Sequence, residues 1–139
     1  MPRILLLLAI FVFTACAEKI NPSELHLLNG YWEIQKVVFP QGDTKEYNLN
    51  TTIDFFTLED DKGYRKKVQP KLDGTYITSD DAEFFSIIHL DGTFKLHYRN
   101  ALSEWEEGIV EISDEKLTIV SEENIRYNYK RYQPIGAEK

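Results

Sequence analysis

The sequence predicts an all-β domain, an antiparallel barrel or sandwich of eight or nine short strands. Three observations carry this. Apolar and aromatic residues alternate with polar ones in short runs, the period of half-buried strands. Clusters of Gly, Asp, Asn, Ser and Pro divide those runs at close spacing, as tight turns require. No long amphipathic helix is legible after residue 16.

Taken in order, Ser23 to Leu28 reads as one helical turn, with Ser23 as its N-cap and Asn29-Gly30 as its stop, suited to plugging one end of a barrel. From Tyr31 to Phe39 the apolar residues are Trp32, Ile34, Val37, Val38 and Phe39. Their alternation changes phase near Gln35-Lys36, which predicts a β-bulge. Pro40 to Asp43 is a turn, and the polar stretch to Asn50 a long loop. Ile53 to Leu58 is the next strand, closed by Glu59 to Gly63. Tyr64 to Gln69 carries Arg65, Lys66 and Lys67 in succession, which suits an exposed or edge strand, with Pro70 limiting its pairing. Asp73-Gly74 turns the chain into the short strand Thr75 to Thr78.

The strongest local signal is Asp91-Gly92 between two β-rich runs, a two-residue hairpin turn. It fixes a register in which Leu90 pairs with Thr93. His89–Phe94, Ile87–Leu96 and Phe85–Tyr98 then share one face, and Ser86–His97 and Ile88–Lys95 the other. Trp105 to Ile112, Lys116 to Val120 and Ile125 to Tyr132 complete the set, the last with Tyr127, Tyr129 and Arg131 on one face.

At 139 residues with a single cysteine, the chain holds one domain whose core must stand without internal disulfides or a Cys-based metal cluster. A net charge of −7, spread along the chain, repels phosphate backbones and argues against nucleic acid as a partner. The N-terminus has the form of an export signal: Arg3, an apolar run from Ile4 to Phe13, then Thr14-Ala15 and Cys16. That run is too short to cross a bilayer, which takes about 20 residues. Small residues leading into a cysteine resemble the bacterial lipobox, with Phe13 where an aliphatic residue is usual. The resemblance implies cleavage before Cys16, acylation of its thiol and amine, and a mature protein held by several acyl chains in the bacterial cell envelope, at the outer membrane. Loss of Arg3 takes the charge from −7 to −8. The expected organisation is a signal peptide over 1–15, a lipidated tether over 16–24, a barrel over 25–133 and a tail over 134–139.

Gly30-Tyr31-Trp32 at the head of the first long strand, a meander of hairpins, and a last strand ending on Arg131 resemble the lipocalin-like domains of small Bacteroidota lipoproteins, over residues 25–133. The resemblance implies an up-and-down barrel of about eight strands whose mouth holds one small apolar ligand. It also implies structural closure by Gly30, Trp32 and Arg131, with the arginine packed over the tryptophan ring.

Phe55 (or its neighbour Phe56), Tyr76, Phe85, Ile87, Phe94, Leu96, Tyr98, Trp105, Tyr127 and Tyr129 are the candidate ligand-lining residues. They either line a cavity or fill the barrel solid, and the sequence leaves both open. His89 and His97 fall on opposite faces of their hairpin and cannot share an ion. The acidic runs Glu59-Asp60-Asp61 and Asp80-Asp81 with Glu83 lack the spacing of a calcium loop and read as solvated turns. No Gly-x-Ser-x-Gly elbow or other catalytic constellation is present, and no cofactor is expected. Two functions remain: a lipid-anchored carrier of a small hydrophobic molecule, or a protein-interaction module with a solid core. The module would act through loops 40–50 and 78–84 or the basic strand at Arg65 to Lys67.

Overall fold

The computed structural model describes residues 20–79 and 81–134. Its strands are β1 Gly30–Val38, β2 Thr44–Glu46, β3 Ile53–Glu59, β4 Lys62–Pro70, β5 Tyr76–Thr78, β6 Glu83–Leu90, β7 Thr93–Arg99, β8 Glu104–Ile112, β9 Lys116–Ser121 and β10 Arg126–Arg131. All pair antiparallel, in the order β10-β9-β8-β7-β6-β4-β3-β1, and β1 returns to β10 to close an eight-stranded barrel. β2 adds to the second half of β1, where β3 no longer reaches, and β5 adds to the end of β4.

The Asp91-Gly92 hairpin has the expected register, Leu90 with Thr93 through Phe85 with Tyr98. Both turn residues are left-handed, with φ 50° and 79°, which twists the turn to match its strands. The bulge expected near Gln35 is also present, as a register slip between Ile34 and Lys36.

Four local expectations are corrected. The helical turn is a 3-10 helix, Pro22–Leu28, capped by Asn21 and not Ser23: the Asn21 Oδ1 accepts the Ser23 N–H at 3.0 Å. Pro22 takes the first helical position, where a missing N–H costs nothing. Ile20, within the stretch expected to be tether, is already buried in the core. The polar run after Pro40 is not wholly loop, because Thr44–Glu46 pairs with β1. The basic strand is not an edge: β4 lies between β3 and β6, with Pro70 only at its last pairing, on β5. Cys16, Asp80 and the tail from residue 135 lie outside the described residues.

The helix closes one end of the barrel. Leu28, Trp32, Phe56, Leu96, Tyr98 and Leu117 are all at 0 % exposure, and Phe94, Ile109, Ile119 and Tyr129 pack with them. The barrel is a packed body through its lower and middle layers.

Arg131 fastens the plug. Its guanidinium carbon lies 3.9 Å from the Trp32 ring centre, and its nitrogens donate to the Leu27 and Asn29 carbonyls at 2.7 Å and to Asp114 at 2.8 Å. The first two are carbonyls that the short helix leaves without partners. Gly30 makes room for this: at φ 123° it occupies backbone space that L side chains avoid, and a Cβ there would meet Arg131 Nη1 at 2.7 Å.

Candidate functional site: the polar floor of the barrel mouth

At the end opposite the helix, the inward positions of β3, β4 and β8 change from apolar to charged. Pairing sets the phase: Trp32 opposes Asp54, and Asp54 opposes Lys67, so all three face inward; Phe56 opposes Arg65 likewise. On β8, Glu107 opposes the inward Leu96. Arg65 is the centre of the resulting cluster. Its Nη2 donates to Asp54 Oδ2 at 3.0 Å and to the Tyr129 hydroxyl at 2.9 Å, and its Nη1 lies 3.5 Å from both Glu107 oxygens. The guanidinium also covers the Phe56 ring at 5.2 Å. Side-chain exposures of 13 % for Arg65, 3 % for Asp54 and 14 % for Glu107 put these charges inside the protein, whereas Lys67, Asp54's other partner, reaches solvent at 62 %.

The electrostatics separate the two carboxylates. Burial raises the pKa of Asp54, but Arg65 and Lys67 outweigh it and hold the group below its ordinary 3.8. Burial dominates at Glu107: the long contact to Arg65 offsets it only in part, the carboxylates of Glu83 and Asp54 add to it, and the pKa lies above the ordinary 4.5. Burial likewise pushes the Tyr98 and Tyr129 hydroxyls well upward. The Tyr98 hydroxyl is buried with no hydrogen-bond partner among the described residues, an unusual state for such a group.

These opposite shifts predict a two-limbed pH profile. Glu107 binds protons more tightly folded than unfolded, so stability rises as pH falls from neutral toward the ordinary 4.5. Asp54 binds them less tightly folded, so its contribution is lost as pH falls below the ordinary 3.8. Thermal melting across pH should show both limbs, and Glu107→Gln should abolish the rise and keep the fall. A monotonic profile in the parent protein would contradict the assignment.

Of the candidate lining residues, Phe85, Leu96, Tyr98 and Tyr129 are buried within the packed core. Ile87, Trp105 and Tyr127 are half-buried against it. Trp105 stacks on Tyr98 at 5.0 Å with the rings 6° from parallel. Phe55 and Tyr76 are corrected: both stand on the outer wall. Phe55 is out of phase with inward Asp54 and Phe56, and Tyr76 belongs to the appended β5. Outside, they join a continuous line of rings, Phe84–Tyr64–Phe55–Tyr31–Tyr76–Tyr132, with centroids 4.3 to 6.5 Å apart. His89, itself exposed, stacks on Phe94, while His97 stands outside between Glu104 and Glu106.

Sequence reasoning missed Asp54 and Glu107, and read Arg65 and Lys67 as part of an exposed basic strand instead of as inward groups. A usable signal exists: with Trp32 and Phe56 inward, period-two counting places every one of them on the inner face once strand pairing is known.

A family model for the lipocalin-like domain matches residues 28–119. Among solved structures, a lipocalin-like protein from Bacteroides uniformis is similar at 8 % identity and TM-score 0.48, covering 76 % of this chain and 99 % of that one. An uncharacterized protein from Bacteroides eggerthii is similar at 11 % and 0.48, with the same coverage. Apocrustacyanin C1 is similar at 9 % and 0.49, over 85 % of this chain and 68 % of that one. The search of curated proteins gives no match.

Proposed function

From the premise that the chain belongs to the lipocalin-like domain family, we infer that it is a binding protein of the bacterial cell envelope, lipid-anchored through Cys16 and taking a small hydrophobic ligand. The ligand is shallow: the packed interior leaves it the mouth, where an apolar body would rest on half-buried Trp105 and Tyr127 and a polar end would reach the floor. The observation that carries this reading is the unsatisfied floor. Among the described residues the buried Tyr98 hydroxyl has no hydrogen-bond partner, and Glu107 meets Arg65 only at 3.5 Å, so a polar ligand atom would add hydrogen bonds there. Anchoring rests on the leader and the lipobox-like approach to Cys16.

Titration with the fluorescent apolar probe N-phenylnaphthylamine tests the mouth. The probe should bind in the micromolar range, accept energy from tryptophan, and lose affinity about tenfold in Trp105→Ala, a loss of about 1.4 kcal/mol. In Cys16→Ser the protein should leave the membrane fraction while retaining the probe. Absence of probe binding, together with protein that yields no small molecule on solvent extraction from its host, would overturn the carrier reading. It would leave the solid-core interaction module, which the exposed line of rings ending in Phe84, 63 % exposed, independently favours.

A further inference from the structure

A second concavity lies on the outside of the barrel, separated from the mouth by the sheet itself. Its origin is a pair of β-bulges. β1 slips register between Ile34 and Lys36, and β8 slips between Ile109 and Glu111. These two strands flank β9 and β10, and a bulge bends its strand and increases its twist, so the outer face of β8-β9-β10-β1 is cupped. The arm from Glu46 to Asn48 forms one bank. It is fastened at the β1 bulge, where Tyr47 N–H donates to the Gln35 carbonyl at 3.0 Å and the Asn50 amide donates to the Ile34 carbonyl at 2.9 Å. The enclosed groove measures about 430 Å³, within the range of small-ligand sites.

The lining decides the ligand chemistry. The side chains of Gln35, Asn48 and Asn128 contribute amides, and Thr118, itself buried, donates its hydroxyl to Asn128 Oδ1 at 2.9 Å, leaving the Asn128 NH2 as a donor. Charge is balanced. Lys130 is neutralised by Glu33 at 2.9 Å, and the remaining lysines, Lys36 and Lys116, are matched by Glu46 and Glu111. An apolar ligand would strip water from amides without replacing its hydrogen bonds, and an anion would face two carboxylates. A neutral molecule dense in hydroxyl groups satisfies donors and acceptors together, with the Tyr47 ring available for its apolar face.

We propose that this outer groove is a second binding site, and that it takes a neutral saccharide. The site lies across the sheet from the mouth: its floor is the outward face of β9 and β10, and only Tyr129, whose hydroxyl meets Arg65 on the inward side, borders both. The test is nuclear magnetic resonance of the isotope-labelled full chain with maltose, cellobiose, xylobiose and chitobiose at millimolar concentration. Glucuronic acid and glucose 6-phosphate serve as anionic counterparts.

At least one neutral disaccharide should shift backbone signals at Gln35, Lys36, Asn48, Thr118 and Asn128 and leave Trp105 and Tyr127 unmoved. Asn128→Ala and Asn48→Ala should each weaken that binding about tenfold with the spectrum otherwise preserved. The proposal is overturned if no neutral sugar shifts the groove, if the shifts map to the mouth, if both variants bind like the parent, or if the anionic sugars bind more tightly. Should an alanine variant unfold, Asn128→Asp replaces it; loss of the NH2 donor must then weaken neutral-sugar binding, and unchanged affinity would overturn the assignment.

Discussion

Truncating Trp32 to alanine should lower the free energy of unfolding by about 3–5 kcal/mol, a large part of what a single domain possesses. The ring is fully buried, so truncation leaves a cavity among Leu28, Phe56 and Leu117 that the closed barrel cannot easily collapse. Two further losses follow. The indole N–H no longer donates to the Leu28 carbonyl, a 2.9 Å bond that ties strand to plug, and the Arg131 guanidinium loses the face it covers. Trp32→Phe keeps much of the volume and some of the stacking, and should cost less than half as much. Urea unfolding of the three proteins measures this. A cost under about 1 kcal/mol for Trp32→Ala would mean that the plugged end contributes little to stability.

Replacing Arg65 with methionine should be comparably damaging, by about 3–5 kcal/mol at neutral pH, for an electrostatic reason. Methionine fills similar space, but Asp54 is left buried with only the solvent-reaching Lys67, and Glu107 loses the cation that offsets its burial. The test that separates charge from packing is the triple variant Asp54→Asn, Arg65→Met, Glu107→Gln. It should recover most of the loss, because a buried ion cluster gains little net stability over a neutral replacement, while a broken one is costly. If the triple variant is no more stable than Arg65→Met alone, the arginine acts through its packing on Phe56 and not through its charge.

The contrast between these two sites describes how far the sequence could be read. The Asp91-Gly92 hairpin rests on a local pattern, a period of two around turn residues with left-handed backbone, and the Trp32–Arg131 closure on a family resemblance carried by a short motif at each end of the fold. The Arg65 cluster rests on neither. Three consecutive basic residues suggest a solvated strand by composition, yet pleating sends Arg65 and Lys67 to one face and Lys66 to the other, and only the pairing with Asp54 and Phe56 shows that the first face is inward. The same phase settles the neighbouring phenylalanines, Phe56 inward and Phe55 outward. It was illegible because the β1–β3 pairing spans a long connection containing β2. The outer groove depends on two bulges. The alternation in β1 betrays one, but that in β8, through Gly108-Ile109-Val110, reads as regular.

The closing pair of strands also constrains how the molecule is made. Arg131 meets the carbonyl of Asn29 across 102 positions of sequence, and β1 finds β10 only after every intervening hairpin has been synthesised. Until then, both strands present open edges able to pair with another chain. Bringing such distant segments together is the slow entropic step in folding. Completion of the barrel therefore coincides with arrival of its final strand, and a chain released before Arg126 would carry every hairpin up to β8–β9 with no means of joining them into a ring.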